Sequence, residues 1–173
     1  GITTGENLGS SVTRAEFAKM LVSASVYKDE VGTDSANSLY KDVKKNHWAV
    51  EYIKIAVEQG WMTGYSDGTF RPSNTIRYEE AATAVLKLLG YDPSTFAGNF
   101  PSAQISKFES LSLADGTSLK KGTTLTRNDC VNIFYNLMNA DDVNGAKYAT
   151  KLGYTVTSTG EISYSSLVSN DLK

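Results

Sequence analysis

Residues 40–89 read YKDVKKNHWAVEYIKIAVEQGWMTGYSDGTFRPSNTIRYEEAATAVLKLL, and this stretch decides the fold. The spacing of apolar residues before Gln59 predicts a first helix, with Gly60 as its expected C-cap. Residues 64–72, GYSDGTFRP, are rich in turn-forming residues and predict a glycine loop. Apolar residues recur at helical spacing again from Ile76 onward. The unit is therefore helix, glycine loop, helix.

The start of this second helix has two counterparts elsewhere in the chain. With Arg14, Tyr78 and Arg127 as equivalent origins, the residues three, six, seven and ten positions later are apolar in every copy. These positions form one face of an α-helix, so three helices are expected to bury the same stripe. The stripe consists of Phe17, Met20, Leu21 and Ala24 in the first copy, Ala81, Ala84, Val85 and Leu88 in the second, and Cys130, Ile133, Phe134 and Leu137 in the third.

Two of the three helices begin with a predicted capping box, in which an N-cap side chain and an acidic residue three positions later satisfy each other's backbone N–H groups. Thr13 with Glu16 has this spacing, and Thr126 with Asp129 approximates it. The middle copy has Arg77 at the N-cap position, so its helix is expected to lack the box.

Composition excludes several classes of protein. The 173 residues carry 17 Lys+Arg against 19 Asp+Glu, a net charge of −2 that gives no broad attraction for nucleic acid. No apolar run approaches the ~20 residues that span a bilayer, so membrane insertion is not expected. One Cys and one His exclude an internal disulfide and any metal site built from several cysteines or histidines.

The middle copy resembles an S-layer homology (SLH) domain. The family pattern is aromatic-x-Asp-Val, His-Trp-Ala, a helix ending in Gly, Gly-Tyr-x-Asp-Gly-Thr-Phe-x-Pro, and Ile-Thr-Arg-Ala-Glu. Residues from Tyr40 to about Leu89 match nearly all of it, and the resemblance covers roughly residues 1–140. It implies a mainly α fold, a pseudo-threefold bundle of helix-loop-helix repeats, followed here by a short C-terminal β-hairpin.

The copies are unequal. Gly1 to Gly5 aligns with Gly60 to Gly64, so the sequence lacks the first helix of its first copy, and the third copy lacks His-Trp-Ala. The expected divisions are a partial first repeat at 1–35, a second repeat at 36–95, a degenerate third repeat at 96–140, and a linker with a β-hairpin at 141–173.

The resemblance implies a secreted, non-catalytic module of the bacterial cell wall or S-layer, on a Gram-positive-type surface. Such modules bind secondary cell-wall polysaccharide in grooves between repeats, often through a pyruvate ketal on an N-acetylmannosamine unit. A guanidinium can meet the ketal carboxylate with two parallel hydrogen bonds. The motif positions assign polysaccharide binding to Arg14, Arg127, Asp42, Trp48, Gly64 and Tyr65, with no catalytic residue, metal or cofactor.

The middle copy departs from the family at its arginine. Tyr78 occupies the motif position, and Arg77 stands one residue earlier, about 100° away around a helix. Arg77 therefore cannot simply replace the motif arginine, and the groove that would use that position is expected to be altered or inactive. Both residues are doubtful members of the binding set.

Each assigned residue also has a structural interpretation. Arg14 and Arg127 could form ion pairs or brace the starts of their helices. Trp48 could be a core or groove-wall residue, and Asp42 could order the turn before its helix. His47, in His-Trp-Ala, is expected to be structural.

Without the first helix of the first copy, the stripe of Phe17, Met20 and Leu21 needs another cover. A neighbouring domain or chain, an exchanged helix or a rearranged copy could supply it. Further along the chain, residues 154–157 and 161–164 alternate in polarity around a Ser-Thr-Gly turn and predict a β-hairpin. A lone hairpin is marginal in water, so it is expected to pack on the helices or lead into another domain.

Two functions compete with wall anchoring. A degenerate SLH unit could serve as a structural spacer or protein-interaction module, as Tyr78 and the eroded third copy suggest. A fragment of a glycan hydrolase is the other alternative, but no acid and nucleophile stand at a defined spacing.

Overall fold

The computed structural model describes residues 7–32 and 37–164, and this part of the chain is mainly helical, as expected. The predicted alignment of Gly1 to Gly5 and the last part of the predicted linker, residues 165–173, lie outside it. The elements are α1 (Arg14–Ser23), α2 (Val50–Glu58), α3 (Tyr78–Leu88), α4 (Ser102–Ser110), α5 (Arg127–Met138), α6 (Tyr148–Lys151), β1 (Tyr154–Val156) and β2 (Ile162–Tyr164), with 3₁₀ turns at Lys28–Glu30 and Pro93–Thr95.

The helix ends follow the local sequence signals. Thr13 and Glu16 form a complete capping box at α1, and Thr126 and Asp129 form one at α5. No side chain caps α3, whose N-cap is Arg77. Both capping predictions are confirmed. The C-cap of α2 is Gln59, one residue before the expected Gly60, and Gly60 follows it with φ of 79°, the left-handed conformation that ends many helices and that glycine adopts without strain.

A ring of three backbone hydrogen bonds relates the three copies. The amide of Val12 donates to the carbonyl of Leu125 (2.9 Å), that of Leu125 to Ile76 (3.1 Å), and that of Ile76 to Val12 (2.9 Å). The three residues occupy the same position in their copies, and all are fully buried. A closed cycle between equivalent positions requires an approximate threefold arrangement, with the ring at its axis.

A second cycle lies beside the first and satisfies the first-turn N–H groups of the core helices. These groups have no partner inside their own helix, so another segment must supply one. Here each helix start takes its partner from the loop of another copy. The bonds join Arg14 N–H to Asn74 O (2.8 Å), Tyr78 N–H to Thr123 O (2.8 Å) and Arg127 N–H to Ser10 O (2.9 Å).

The predicted apolar stripes form the core. Phe17, Ala81 and Cys130, equivalent residues of α1, α3 and α5, are each fully buried. The first-copy stripe is covered within the chain, because the Phe17 ring lies 5.7 Å from the ring of Phe134 in α5. Outside this core, α2 packs on α1 and α4 packs on α3. Each core helix of the first two copies is thus paired with the first helix of the following copy.

The segment after α5 ties together the far ends of the three core helices. The amide of Val143 donates to Leu89 O after α3, at 3.0 Å. Tyr148 donates through its amide to Ala140 O after α5, at 2.9 Å, and through its hydroxyl to Ala24 O after α1, at 2.7 Å. Residues 141–148 therefore close this end of the bundle.

The predicted hairpin is present. Strands β1 and β2 pair antiparallel, with Tyr154 opposite Tyr164 and Val156 opposite Ile162. The hairpin packs on the bundle through α6, which contacts both α5 and β1. This arrangement gives the two strands the support that an isolated hairpin lacks.

Candidate functional site

Most of the candidate binding residues line two grooves between copies. The first, here the Trp48 groove, has a volume of about 560 Å³, and its walls include Thr13, Glu16, Lys19, His47, Trp48 and Arg127. The second, here the Phe100 groove, has about 660 Å³, and its walls include Arg14, Gly64, Tyr65, Arg71, Arg77, Glu79, Glu80 and Phe100. Trp48 and Arg127 therefore lie together, whereas Arg14, Gly64 and Tyr65 lie in the other groove.

Trp48 presents an open aromatic face to its groove. The residue precedes the N-cap of α2 and is 56% exposed, so it is not part of the core. The imidazole of His47 stacks beside the indole, with ring centroids 5.8 Å apart. His47 Nδ1 accepts a hydrogen bond from Ala49 N–H at 3.0 Å, which fixes the imidazole at the helix start. This supports the structural interpretation of His47.

Arg127 enters the Trp48 groove from another copy. It is the first residue of α5, and its Nη2 forms an ion pair with Glu16 Oε2 on α1. Within the described chain this is the only partner of its five N–H donors, and the side chain is 32% exposed. Lys19 on α1 adds a second cation to the same groove. The groove thus joins an aromatic face to two basic groups.

Arg14, the equivalent motif arginine, has all three of its guanidinium nitrogens bonded to protein oxygens. Its Nε donates to Phe70 O at 2.9 Å, its Nη2 to Thr63 O at 2.7 Å, and its Nη1 pairs with Glu80 Oε2. The residue is only 4% exposed, and its guanidinium lies 5.1 Å from the centroid of the Tyr65 ring. Arg14 therefore fastens α1 to the glycine loop and to α3.

Asp42 lines neither groove. Its two carboxylate oxygens accept hydrogen bonds from the amides of Phe70 and Arg71, each at 2.8 Å. These bonds hold the end of the glycine loop against the segment before α2. This geometry supports the structural interpretation of Asp42, in which the residue orders the turn before α2.

Gly64 and Tyr65 shape one wall of the Phe100 groove. A Cβ at Gly64 would lie 2.1 Å from Cε1 of Tyr40, so only glycine fits there. The Gly64 amide donates to the hydroxyl of Tyr40 at 3.0 Å. The guanidinium of Arg71 lies 3.7 Å from the centroid of the Tyr65 ring and therefore covers one face of that ring.

Tyr78 and Arg77 face different surroundings. Tyr78 is fully buried, its hydroxyl donates to Glu109 Oε1 at 3.2 Å, and its ring packs edge-on against Phe108. Burial, together with the Glu109 carboxylate, raises the pKa of the Tyr78 phenol. The motif position of the middle copy therefore holds a neutral core residue. Arg77 is exposed and lies in the Phe100 groove.

Residues 39–82 match the family model of the S-layer homology domain. The chain carries an S-layer homology domain. The matched segment runs from just before the Asp42 turn through α2 and the glycine loop into α3. It supplies Trp48 to one groove and Gly64, Tyr65 and Arg77 to the other.

Similarity to other bacterial proteins extends beyond that segment. The chain is 28% identical over 91% of its length to the middle cell wall protein of Brevibacillus brevis, and 30% identical over 86% to a cell surface protein of Thermoanaerobacter kivui. It is 39% identical over 48% to a cellulosome-anchoring protein of Acetivibrio thermocellus. The aligned part covers 15%, 21% and 19% of these proteins, respectively.

The S-layer homology domain, together with relatives named as a cell wall protein and a cell surface protein, places this chain among secreted cell-surface proteins. Helices long and apolar enough to cross a lipid bilayer do not occur in the described part of the chain. Nor do the described residues include a cluster of His, Cys, Asp and Glu that could hold a metal ion.

Sequence reasoning missed two residues that line these grooves. Phe100 precedes the N-cap of α4 as Trp48 precedes that of α2, and it is 60% exposed. The signal was an aromatic residue just before the first helix of the third copy, hidden because no His or Ala flanks it. Lys19 was also missed, since one exposed lysine on α1 carries no motif.

Proposed function

We propose that this chain is a non-catalytic anchoring module that binds an acidic secondary cell-wall polysaccharide, such as one with pyruvylated amino sugars, in the Trp48 groove. The observation that carries the proposal is the meeting of an exposed indole with the incompletely paired guanidinium of Arg127. The two groups come from different repeats, so the groove exists only when the repeats are assembled.

The groove chemistry matches a sugar that carries a carboxylate. Arg127 can offer two parallel N–H donors to a planar anion, and Lys19 adds a compact positive charge. The Trp48 ring offers an apolar platform for the C–H face of a sugar, and its indole N–H is a hydrogen-bond donor. Glu16 holds Arg127 in position without removing all of its donors.

Within this proposal, Arg14, Asp42 and Gly64 form the frame of the module. The side chains of Arg14 and Asp42 are hydrogen-bonded to backbone groups, and close packing around Gly64 leaves no room for a side chain. The proposed repeats keep the boundaries 1–35, 36–95 and 96–140, with 141–173 as a following segment. The two hydrogen-bond cycles support a division into three copies, because each cycle contains one hydrogen bond between every two neighbouring copies.

The printed names of the relatives support anchoring to the cell surface. One relative is named for anchoring a cellulosome, and another for the cell wall. Binding without bond cleavage requires no general base or nucleophile. The carboxylates at the grooves already have partners: Glu16 pairs with Arg127, and Glu80 pairs with Arg14. The proposed module is therefore a binding unit, and its polysaccharide is its partner.

The test is a binding isotherm with purified pyruvylated cell-wall polysaccharide and with the same polymer after reduction of its carboxyl groups. We expect Trp48→Ala and Arg127→Gln each to weaken binding to the native polymer at least tenfold. Tyr135→Ala is the matched control, since Tyr135 is 73% exposed on α5 and lines neither groove. Equal binding of both polymers, or no effect of either groove variant, contradicts the proposal.

A second candidate is a spacer or protein-interaction module. One observation favours it: Tyr135 is 73% exposed, whereas the equivalent residues Val22 of α1 and Leu86 of α3 are fully buried. That face of α5 could dock a neighbouring domain or chain. Sedimentation would then show an assembly that Tyr135→Ala weakens and that polysaccharide leaves unchanged.

A further inference from the structure

The outward side of α5 is open where the equivalent sides of α1 and α3 are buried. The positions four, eight and eleven residues after the motif position lie on one side of each core helix. In the first two copies all six residues are buried: Ala18, Val22 and Ser25, and Ala82, Leu86 and Leu89. In the third copy they are Val131, Tyr135 and Met138, here called the α5 face. Tyr135 is 73% exposed, and the other two are partly exposed.

The composition of α5 is that of a covered helix. Residues 130–140 contain no charged side chain, whereas the corresponding stretches of the other copies contain Lys19 and Lys87. A helix with one side in water normally carries charged residues on that side. Charged residues are depleted, and Tyr and Met are enriched, at the cores of protein interfaces. The α5 face therefore has the chemistry of an interface.

The two covered helices show which kind of element belongs on this face. α2 packs on α1, and the loop after α2 reaches the start of α1, where Ala15 N–H donates to Pro72 O at 3.0 Å. α4 packs on α3, and the loop after α4 reaches the start of α3, where Tyr78 N–H donates to Thr123 O at 2.8 Å. In both cases a first helix packs on the core helix that receives the loop behind it.

At α5 the segment in the position of this loop contains Leu8 and Ser10. Their carbonyls accept hydrogen bonds from the amides of Asn128 and Arg127, respectively, each at 2.9 Å. By the relationship that holds at α1 and α3, the helix that leads into this segment packs on α5. In the sequence alignment Gly1 corresponds to Gly60, which directly follows the C-cap of α2. The helix that fits the α5 face is therefore one that ends just ahead of Gly1.

The α5 face is bulkier than its counterparts, so the three helix pairs are not interchangeable. Val131 stands where α1 and α3 have alanine, and Tyr135 stands where they have valine and leucine. Added volume in a packed interface is destabilising unless the partner is smaller. A helix on this face therefore needs smaller side chains than the buried Val50 and Ile53 of α2.

We propose that the α5 face is the docking surface of an amphipathic helix of the same polypeptide, joined to Gly1, whose buried side chains are smaller than those of α2. The docked helix removes an uncharged face from water, and the bulk of Tyr135 keeps α2 from taking its place. The proposal is independent of polysaccharide binding, because the α5 face lines neither the Trp48 groove nor the Phe100 groove.

The test compares the 173-residue chain with a longer form that includes the native residues ahead of Gly1. A soluble paramagnetic reagent should broaden the NMR signals of the Tyr135 ring and the Met138 methyl group in the shorter form. In the longer form this broadening should be at least fivefold weaker. The methyl groups of Met20 and Met62 are internal references, because both residues are buried in the described chain.

Two sets of variants identify the contact. Tyr135→Lys should leave the denaturation midpoint of the shorter form unchanged, since the residue is exposed there, but should lower that of the longer form and abolish the protection. Val26→Lys is the matched control, because Val26 is an exposed apolar residue outside the α5 face. A second copy of residues 46–59 in place of the native leading segment should protect the face less. Val131→Ala/Tyr135→Val, which restores the α1 residues, should improve that protection.

Equal broadening of Tyr135 and Met138 in the shorter and longer forms overturns the proposal. A dimer of the longer form that Tyr135→Lys dissociates also overturns it, because a second copy would then be the cover. Equal protection by the native segment and by the copy of residues 46–59 overturns the selection by bulk. Each of these results leaves the proposed polysaccharide site standing, since variants of the Trp48 groove test that site separately.

Discussion

Arg14 and Glu80 form an ion pair that joins α1 to α3 beneath the Phe100 groove. Arg127 and Glu16 repeat this relationship between α5 and α1, at the edge of the Trp48 groove. The two pairs come from the same motif positions but differ in burial, because the Arg14 side chain is 5% exposed and that of Arg127 is 32% exposed. The same motif therefore has two physical roles in one molecule.

The first prediction separates these roles by substitution. Arg14→Gln should lower the free energy of unfolding by about 3 kcal/mol, since it leaves a partly buried carboxylate and two carbonyls without their donors. Arg127→Gln should cost less than about 1 kcal/mol, because its pair is partly exposed. Denaturant unfolding followed by circular dichroism measures both.

Binding provides the complementary measurement for that pair of variants. At a temperature where both are folded, Arg14→Gln should retain polysaccharide binding at the Trp48 groove, and Arg127→Gln should lose it. If Arg14→Gln unfolds like wild type and loses binding, Arg14 contacts the ligand and does not serve as a structural brace.

Trp48 should respond to small quenchers while Trp61 does not. Trp48 is 56% exposed, and Trp61 is 7% exposed and packs edge-on against Tyr27. Acrylamide should therefore quench one of two fluorescence components, and polysaccharide should protect that component. Trp48→Phe should remove the quenchable component entirely. Persistence of strong quenching in this variant would show that Trp61 is the accessible indole.

Acid should weaken the far end of the bundle through Asp142. Burial raises the pKa of this carboxyl, but the amides of Ala146 and Asn144 and the ammonium of Lys151 outweigh it and hold the pKa below its usual value. A lowered pKa in the folded protein stabilises it above about pH 4, and this stability is lost as the pH falls through the folded pKa.

Asp142→Asn tests that linkage. Its free energy of unfolding should fall by about 2 kcal/mol at pH 7, and the difference from wild type should shrink as the pH is lowered below about 4. Asp141→Asn is the control, because Asp141 is 49% exposed and its pair with Lys147 should contribute less than about 1 kcal/mol. A constant difference from pH 7 to pH 2 would contradict the proposed cause.

Cys130 should react only after the core opens. It is fully buried, and burial raises the pKa of its thiol to about 12, so thiolate is scarce as well as inaccessible. A disulfide reagent at pH 8 should label no thiol in the native protein and one per chain in denaturant. Cys130→Ala should show no labelling in either condition. Rapid labelling of the native protein would contradict the packing of α5.

The helices, their caps and the C-terminal hairpin were predictable because each is set by nearby residues. The stripe of Phe17, Met20 and Leu21 indicated α1, and Thr13 with Glu16 indicated its start. The sequence left open whether Arg14 binds a ligand or forms an ion pair, because its partners are two backbone carbonyls and a glutamate that only the assembled repeats bring together.

The grooves were partly hidden for the same reason. The family motif identified Trp48 and Arg127, but not that they share a groove while Arg14 lies in another. Phe100 was missed because the third copy has lost the neighbours that mark its position. The exposure of Arg77 depends on how α3 meets the third repeat, which no local pattern encodes.

The ring of hydrogen bonds formed by Val12, Ile76 and Leu125 constrains how repeats can be gained or lost during evolution. In a closed circuit of three links, no repeat is terminal, so deletion of any one leaves an unsatisfied buried donor on one neighbour and an unsatisfied acceptor on the other. An open array of repeats can lengthen or shorten by single units, but this circuit cannot. Gene duplication or loss within such proteins should therefore preserve triplets as the heritable unit.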